Sequence, residues 1–395
     1  MKAGYIFILL YVPVYCWAEE WQFSNPVIVS DSAENVFHHI DASSRRAIAV
    51  SDKTIAIVWE DNRSGTPHIY AALKTISAKT FQQPIKISAK GPAYEPGITA
   101  LNDGRFIIGW EADDHLWLRV LTNNALGEAR KLTNNFSRQI ALHATLANKL
   151  VAVWAEKRKK AYQIHFTKLE VKNQEVSAVK PLLVDNTKVD ADQLYPSVYQ
   201  SRSGTVVGWE DRRHGNTRIF TAYSTNDKQF TPHRLLNDFR LSRIPRFGQG
   251  TGAMRISMDG NGQSQVLASW LDKRDFEGGY DVYAALSEDG GKNFTKNELA
   301  QDMFGENTPQ WHNTAAVSND GKLVIAWDDT RDGLSNVYMS ERINSVWSAD
   351  MSLTETDEIN ETHPVICFDN KGSLHIAYIE RRKAGSRIMY MQGIR

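Results

Sequence analysis

The chain has 395 residues, 42% of them hydrophobic, and its 46 basic and 46 acidic side chains cancel to a formal net charge of zero. This length and apolar content allow a large core and exclude global disorder, and the charge balance removes the electrostatic case for a nucleic-acid partner. Two cysteines make no disulfide framework, and no motif asks for a cofactor.

Residues 1–18 read as an export signal. Lys2 supplies the positive start, and Tyr5 to Val14 form an apolar stretch too short to span a bilayer. Cys16-Trp17-Ala18 ends on a small residue, and Glu19 opens a polar sequence, so cleavage is expected after Ala18. Cys16 as a lipidation site is the alternative, disfavoured by the bulky Tyr15 before it. Cleavage leaves Cys367, inside an apolar run, as a buried small hydrophobe. No later segment is long and apolar enough to cross a membrane. The expectation is a secreted or periplasmic protein with no integral membrane segment and one domain over residues 19–395.

An apolar run ending in an aromatic residue then recurs seven times, at Trp59, Trp110, Trp154, Trp209, Trp270, Trp327 and Tyr378. The spacings of 51, 44, 55, 61, 57 and 51 residues set a repeat period, and strand-built repeats of that size mean a propeller or an array. Within each repeat a short β-like run comes first, then a turn such as Asn102-Asp103-Gly104 or Asn319-Asp320-Gly321, then the anchor strand. A polar loop follows, then a strand carrying Ile69-Tyr70, Ile219-Phe220, Val282-Tyr283 or Val337-Tyr338, and a last strand such as Pro84 to Ser88. Four short antiparallel strands make one blade. The pattern predicts an all-β, seven-bladed propeller of four-stranded blades.

The last repeat stops at Arg395 with three strands. Trp21 to Ser30 resemble the fourth strands elsewhere. They are expected to complete the seventh blade and so remove two open sheet edges.

Six of the seven anchors carry an acid two residues on and an arginine four residues on: Asp61/Arg63, Glu156/Arg158, Asp211/Arg213, Asp272/Arg274, Asp329/Arg331 and Glu380/Arg382. The second repeat departs, with Ala112 and Asp114. A feature present in almost every blade reads as a device that holds the loop rather than as a ring of ligand-binding arginines.

Ser287-Glu288-Asp289-Gly290-Gly291-Lys292-Asn293-Phe294 resembles the Asp box, Ser-x-Asp-x-Gly-x-Thr-Trp, of the sialidase-like propellers built from bacterial neuraminidase repeats, with Asn and Phe at the last two places. Ser224 to Phe230 is a degraded copy. The resemblance spans residues 19–395 and implies a propeller with these boxes as turns between third and fourth strands. It also implies what catalysis would require: three arginines for a substrate carboxylate, a Tyr nucleophile assisted by Glu, and an Asp acid. Members usually carry Arg-Ile-Pro near the start of the catalytic domain and have six blades. Here Arg243-Ile244-Pro245 precedes the fifth of seven repeats.

Function is expected where the repeats differ. The long connection from Asn237 to Ala253 carries Arg240, Arg243 and Arg246, which suit a carboxylate, sulfate or phosphate. Counting back 14 or 15 residues from the anchors reaches the axial start of the first strand, at Glu95, Tyr195, Arg255, His312 and His363. His143 is expected nearby, with His38-His39 in the first repeat, and Trp311 offers a face for a sugar ring. Titratable and aromatic groups converging on one funnel make a ligand site. The His cluster could also take a metal, but spacing across different blades establishes no ligand geometry, so no metal ligands are assigned. The favoured expectation is a non-catalytic surface that recognises a glycan, or an extracellular or periplasmic protein. The enzymatic alternatives are an exo-acting glycoside hydrolase of sialidase type and, behind it, a polysaccharide lyase.

Overall fold

The seven apolar runs form Thr54–Asp61, Phe106–Ala112, Leu150–Arg158, Thr205–Asp211, Val266–Lys273, Leu323–Asp329 and Leu374–Arg382, each the second strand of its own sheet. They are continuous in apolar residues rather than alternating because each sheet packs face to face on its neighbours. The anchors Trp59, Trp110, Trp154, Trp209, Trp270, Trp327 and Tyr378 are at most 1% exposed. A computed structural model describes residues 20–395 apart from 31–33, 41–43, 90, 124, 188–189, 239–250, 275–278, 303–307 and 356–357. The export signal at 1–18 and the loop arginines Arg240, Arg243 and Arg246 lie outside the described residues.

Each anchor strand pairs antiparallel with a first strand on one side and a third strand on the other, and a short fourth strand closes the sheet. Among the described residues there is no helix. The architecture is a seven-bladed β-propeller of four-stranded blades. The N-terminal strand sits in the seventh blade, beside Gly385–Ile394. Gln22 pairs with Ile394, Phe23 with Gly393 and Val27 with Tyr390. Gly393 is required there, since a Cβ on it would meet the Phe23 ring at 2.6 Å.

The acid-arginine motif clamps the loop after the anchor strand. Trp327 Nε1 donates to Asp329 at 3.1 Å, and Arg331 donates to the same carboxylate and to Asp350, at 2.6 and 2.7 Å. The Arg331 guanidinium lies 4.3 Å over Tyr338, the residue paired with Trp327. The same arrangement joins Trp59, Asp61, Arg63 and Tyr70, then Trp209, Asp211, Arg213 and Phe220, then Trp270, Asp272, Arg274 and Tyr283. The third blade differs. Glu156 accepts from Trp154 and Asn135 and faces His165 at 3.7 Å, while Arg158 is exposed. Buried carboxylates are tolerable only with such partners.

The Ser287–Phe294 segment turns between the third and fourth strands of the fifth blade. Ser287 Oγ accepts from Gly291 N–H at 2.9 Å, and Asp289 accepts from Asn293 N–H at 2.8 Å. Cys367 is a buried free thiol, and burial pushes its pKa up to about 12.

Candidate functional site

The first strands, Tyr94–Ala100, Ser137–Ala144, Gln193–Gln200, Gly252–Gly260, Trp311–Val317 and Asn360–Phe368, all carry the same irregularity near their starts. Their register against the second strand slips at one place, between Tyr94 and Gly97, Arg138 and Ala141, Leu194 and Ser197, Met254 and Ser257, Trp311 and Thr314, and Thr362 and Val365. Inside each slip one residue adopts positive φ: Glu95, Gln139, Tyr195, Arg255, His312 and His363, with φ between 49° and 62°. None is glycine, so each position is disfavoured by about 1–2 kcal/mol. A bulge bends the strand and re-aims a side chain, and six in equivalent places form a built feature.

An acid secures most of these bulges. The residue directly after the anchor in one blade accepts the backbone N–H of the bulge residue in the next: Glu60 from Glu95 at 3.1 Å, Glu111 from Gln139 at 2.7 Å, Glu210 from Arg255 at 2.8 Å and Asp328 from His363 at 2.9 Å. The third blade has Ala155 there, and Gln139 takes over by accepting Tyr195 N–H at 2.8 Å. Sequence reasoning fixed on the second acid of Trp-Glu-Asp and missed the first. It also missed Gln139, which sits 15 residues before Trp154 as Glu95 does before Trp110.

The bulge side chains meet in a chain of contacts around the axis. His39 lies 3.5 Å from Glu95 and its ring is 5.9 Å from that of His363. His363 stacks on His312 with centroids 3.5 Å apart. His312 Nδ1 is 2.7 Å from Asp328 Oδ1. Arg255 lies over the Tyr195 ring at 3.7 Å. Beneath Glu95, the buried Arg45 bonds Glu95 and reaches Glu111 at 3.5 Å. The structure therefore places Glu95, Tyr195, Arg255, His312 and His363 at one axial mouth. Trp311 stands on the rim, partly exposed, with its ring 5.5 Å from Tyr280.

Charge here is tightly coupled. Burial pushes the Glu95 carboxyl up, but Arg45, His39 and Arg255 outweigh it and hold the group at about 2. Burial lifts Glu111 to about 7 despite Arg45, because Glu95 has the nearer contact. Burial, with His312, Arg381, His39 and Arg255 around it, drives His363 well below the ordinary imidazole range. Arg255 bears electrostatically on both Glu95 in the second blade and His363 in the seventh.

The other end of the axis is different. Arg46 in the first blade bonds Asp259 in the fifth and reaches the Met258 carbonyl at 3.2 Å, crossing the channel. His143 belongs to this end, against Tyr199 at 4.5 Å, and not to the mouth where it was expected. The third blade's first strand reaches the mouth with Gln139, and His143 is four residues further along it. Burial holds His143 near 3, hence neutral. His38 is also structural, bonded to Ser30 and Ser386 at the ring closure.

No protein-family profile and no curated protein matches the chain. Among solved structures it is similar to an ulvan lyase described as a new family of polysaccharide lyase, at TM-score 0.60 and 10% identity over 92% of this chain and 97% of that one. A protein of unknown function from Dyadobacter fermentans aligns at TM-score 0.55 and 11% identity over 95% of this chain and 99% of that one. The β-propeller domain of the Trilobed protease from Pyrococcus furiosus aligns at TM-score 0.52 and 10% identity over 90% and 94% of the respective chains. At such identities the likeness shows the propeller fold alone.

Proposed function

We propose that the axial mouth is a recognition site for an acidic glycan. The observation that carries this reading is the set of six consecutive bulges, which aim Glu95, Gln139, Tyr195, Arg255, His312 and His363 toward one axis. The bulge recurs and so belongs to the scaffold, but the residue it carries changes from blade to blade, and that variation on a strained backbone points to use. Arg255 supplies a planar fork of donors suited to a carboxylate or sulfate. Tyr195 beside it and Trp311 on the rim supply flat faces for pyranose rings. The pairing of Arg46 with Asp259 across the opposite end favours entry from the mouth. Solved propellers of similar fold include one described as an ulvan lyase, which agrees with a saccharide ligand. The Asp-box-like turn at Ser287–Phe294 supports kinship with the sialidase-like propellers. Residues 1–18 remain our proposed export signal, placing the propeller of 19–395 in the periplasm or outside the cell.

The test is calorimetric titration with uronate-containing and sulfated oligosaccharides, using neutral oligosaccharides as controls. Binding of the acidic set, and its loss in Arg255→Ala with an unchanged melting temperature, is the expected result. Equal binding of neutral sugars, or full binding by the variant, overturns the reading. Incubation of the same samples decides between recognition and catalysis. An unsaturated uronate would make the protein a lyase, and sugar release from a fluorogenic sialoside would make it a sialidase.

A further inference from the structure

Three groups at the mouth do more than line it. His312, Asp328 and His363 each bring one donor atom into a cluster whose donors all lie within 4.8 Å of one another. The cluster joins two blades: His312 and Asp328 come from the first and second strands of the sixth, and His363 from the first strand of the seventh. Asp328 Oδ1 receives His312 Nδ1 at 2.7 Å and the His363 backbone N–H at 2.9 Å, which fixes both residues around one carboxylate. A second observation is independent of that grouping. His363 is 8% exposed, and its Nδ1 is buried with no hydrogen-bond partner. Nδ1 is the ring nitrogen nearer the main chain, whose N–H is held on Asp328. A buried polar nitrogen left unmatched costs about 1–3 kcal/mol, and in the tautomer that carries its proton on Nε2 the Nδ1 lone pair is open to a cation.

We infer that His312, Asp328 and His363 bind one divalent transition-metal ion, of the Zn2+ class. Two imidazoles and a carboxylate form a borderline nitrogen-oxygen set that Zn2+ accepts with a position left open for water or a ligand. Arg255 and Arg381 face His363 and oppose any cation. Two imidazoles and one carboxylate supply too few oxygens for Ca2+ or Mg2+ and favour an ion bound through imidazole nitrogen. His363 Nδ1, buried and without a hydrogen-bond partner, is the nitrogen placed to take the ion. The inference does not rest on the glycan reading, since the metal alone is the probe.

The full chain, stripped with a chelator, is titrated with Zn2+ at neutral pH, and its melting temperature is followed. One equivalent should bind and raise the melting temperature. His363→Asn and Asp328→Asn should each weaken binding by about a hundredfold or more, the upper end of what loss of even an outer partner costs. His363 is buried, so His312→Gln, at a side chain 34% exposed, is the second variant. The metal-free melting temperature of each variant reports its folding. Cobalt substitution gives a separate readout, with visible bands in the wild type that disappear in His312→Gln. Absence of Zn2+ uptake by the wild type overturns the inference. So does uptake that folded His312→Gln retains in full.

Discussion

The Glu210 carboxylate accepts the backbone N–H of Arg255 at 2.8 Å. Glu210 follows the anchor Trp209 in the fourth blade and Arg255 lies near the start of the fifth blade's first strand, so one hydrogen bond ties the anchor strand of one blade to the axial rim of the next. Glu210 is 4% exposed. It holds Arg255 in a backbone conformation that an arginine otherwise avoids, with φ of 60°.

Removing that acceptor leaves a buried N–H unmatched. Glu210→Ala should lower the unfolding free energy by about 1–3 kcal/mol and weaken the proposed acidic-glycan binding through misplacement of Arg255. Glu210→Gln keeps an oxygen at the same place and should restore both. Urea unfolding and calorimetry on the two variants check this. Equal loss in Gln and Ala would mean that the charge matters and the hydrogen bond does not.

The loop clamps differ between blades, and stability should differ with them. Arg331 spans Asp329 and Asp350, and its side chain is 10% exposed. Arg331→Ala leaves two buried carboxylates without their cation and should cost about 3–5 kcal/mol. Arg331→Lys should recover little, because a lysine cannot bridge both acids or lie flat on Tyr338. Arg158 holds the matching sequence position in the third blade but is exposed, so Arg158→Ala should stay within about 0.5 kcal/mol of wild type. Thermal unfolding of the three variants side by side is the measurement. Similar losses at 331 and 158 would refute the clamp assignment.

Closure of the ring gives a third expectation. Deleting residues 20–30 strips the outer strand from the seventh blade and exposes the edge of Gly385–Ile394, together with the pocket filled by Trp21 and Phe23 beside Phe368. The melting temperature should fall sharply, with aggregation from the bared edge. An unchanged transition would show that the ring holds without this strand.

Much of this was legible from the chain because a propeller repeats its instructions. Seven anchors fixed seven blades, and counting back from them reached Glu95, Tyr195, Arg255, His312 and His363, since the bulge lies at a near-constant distance from the anchor. The third blade defeated the count: Gln139 is an inconspicuous amide, and the more eye-catching His143 lies four residues beyond it, at the far end of the channel. Asp328 escaped because the neighbouring Asp329 drew the reading, and Glu111 because its repeat, with Ala112 next in line, lacks the acid-arginine motif. Arg45 stands 14 residues before Trp59, as Tyr195 does before Trp209, but in the first repeat the reading went to His38-His39 and passed over it; the folded ring shows it beneath Glu95. The meeting of His312 with His363 is likewise a product of closure between blades, invisible to spacing.

Glu111 gives a pH dependence whose sign can be worked out. Arg45, Glu95 and Arg138 face its carboxyl, and burial dominates, lifting it from an ordinary 4.5 to about 7. The folded state therefore holds this proton more tightly than the unfolded chain. The stabilisation is complete below the unfolded value and is lost as pH rises through about 7. Glu95 acts in the opposite sense: held at about 2, it contributes above its ordinary value and loses that contribution as pH falls through about 2. Between about pH 5 and about pH 8 only Glu111 of this pair changes state. Glu111→Gln mimics the protonated acid and still accepts the Gln139 N–H. The variant should match wild type near pH 5 and exceed it near pH 8 by about 2 kcal/mol. Urea midpoints measured across that interval decide the matter. Parallel profiles for the two proteins would mean that Glu111 is already ionised at neutral pH, with Arg45 shared between both glutamates rather than claimed by Glu95.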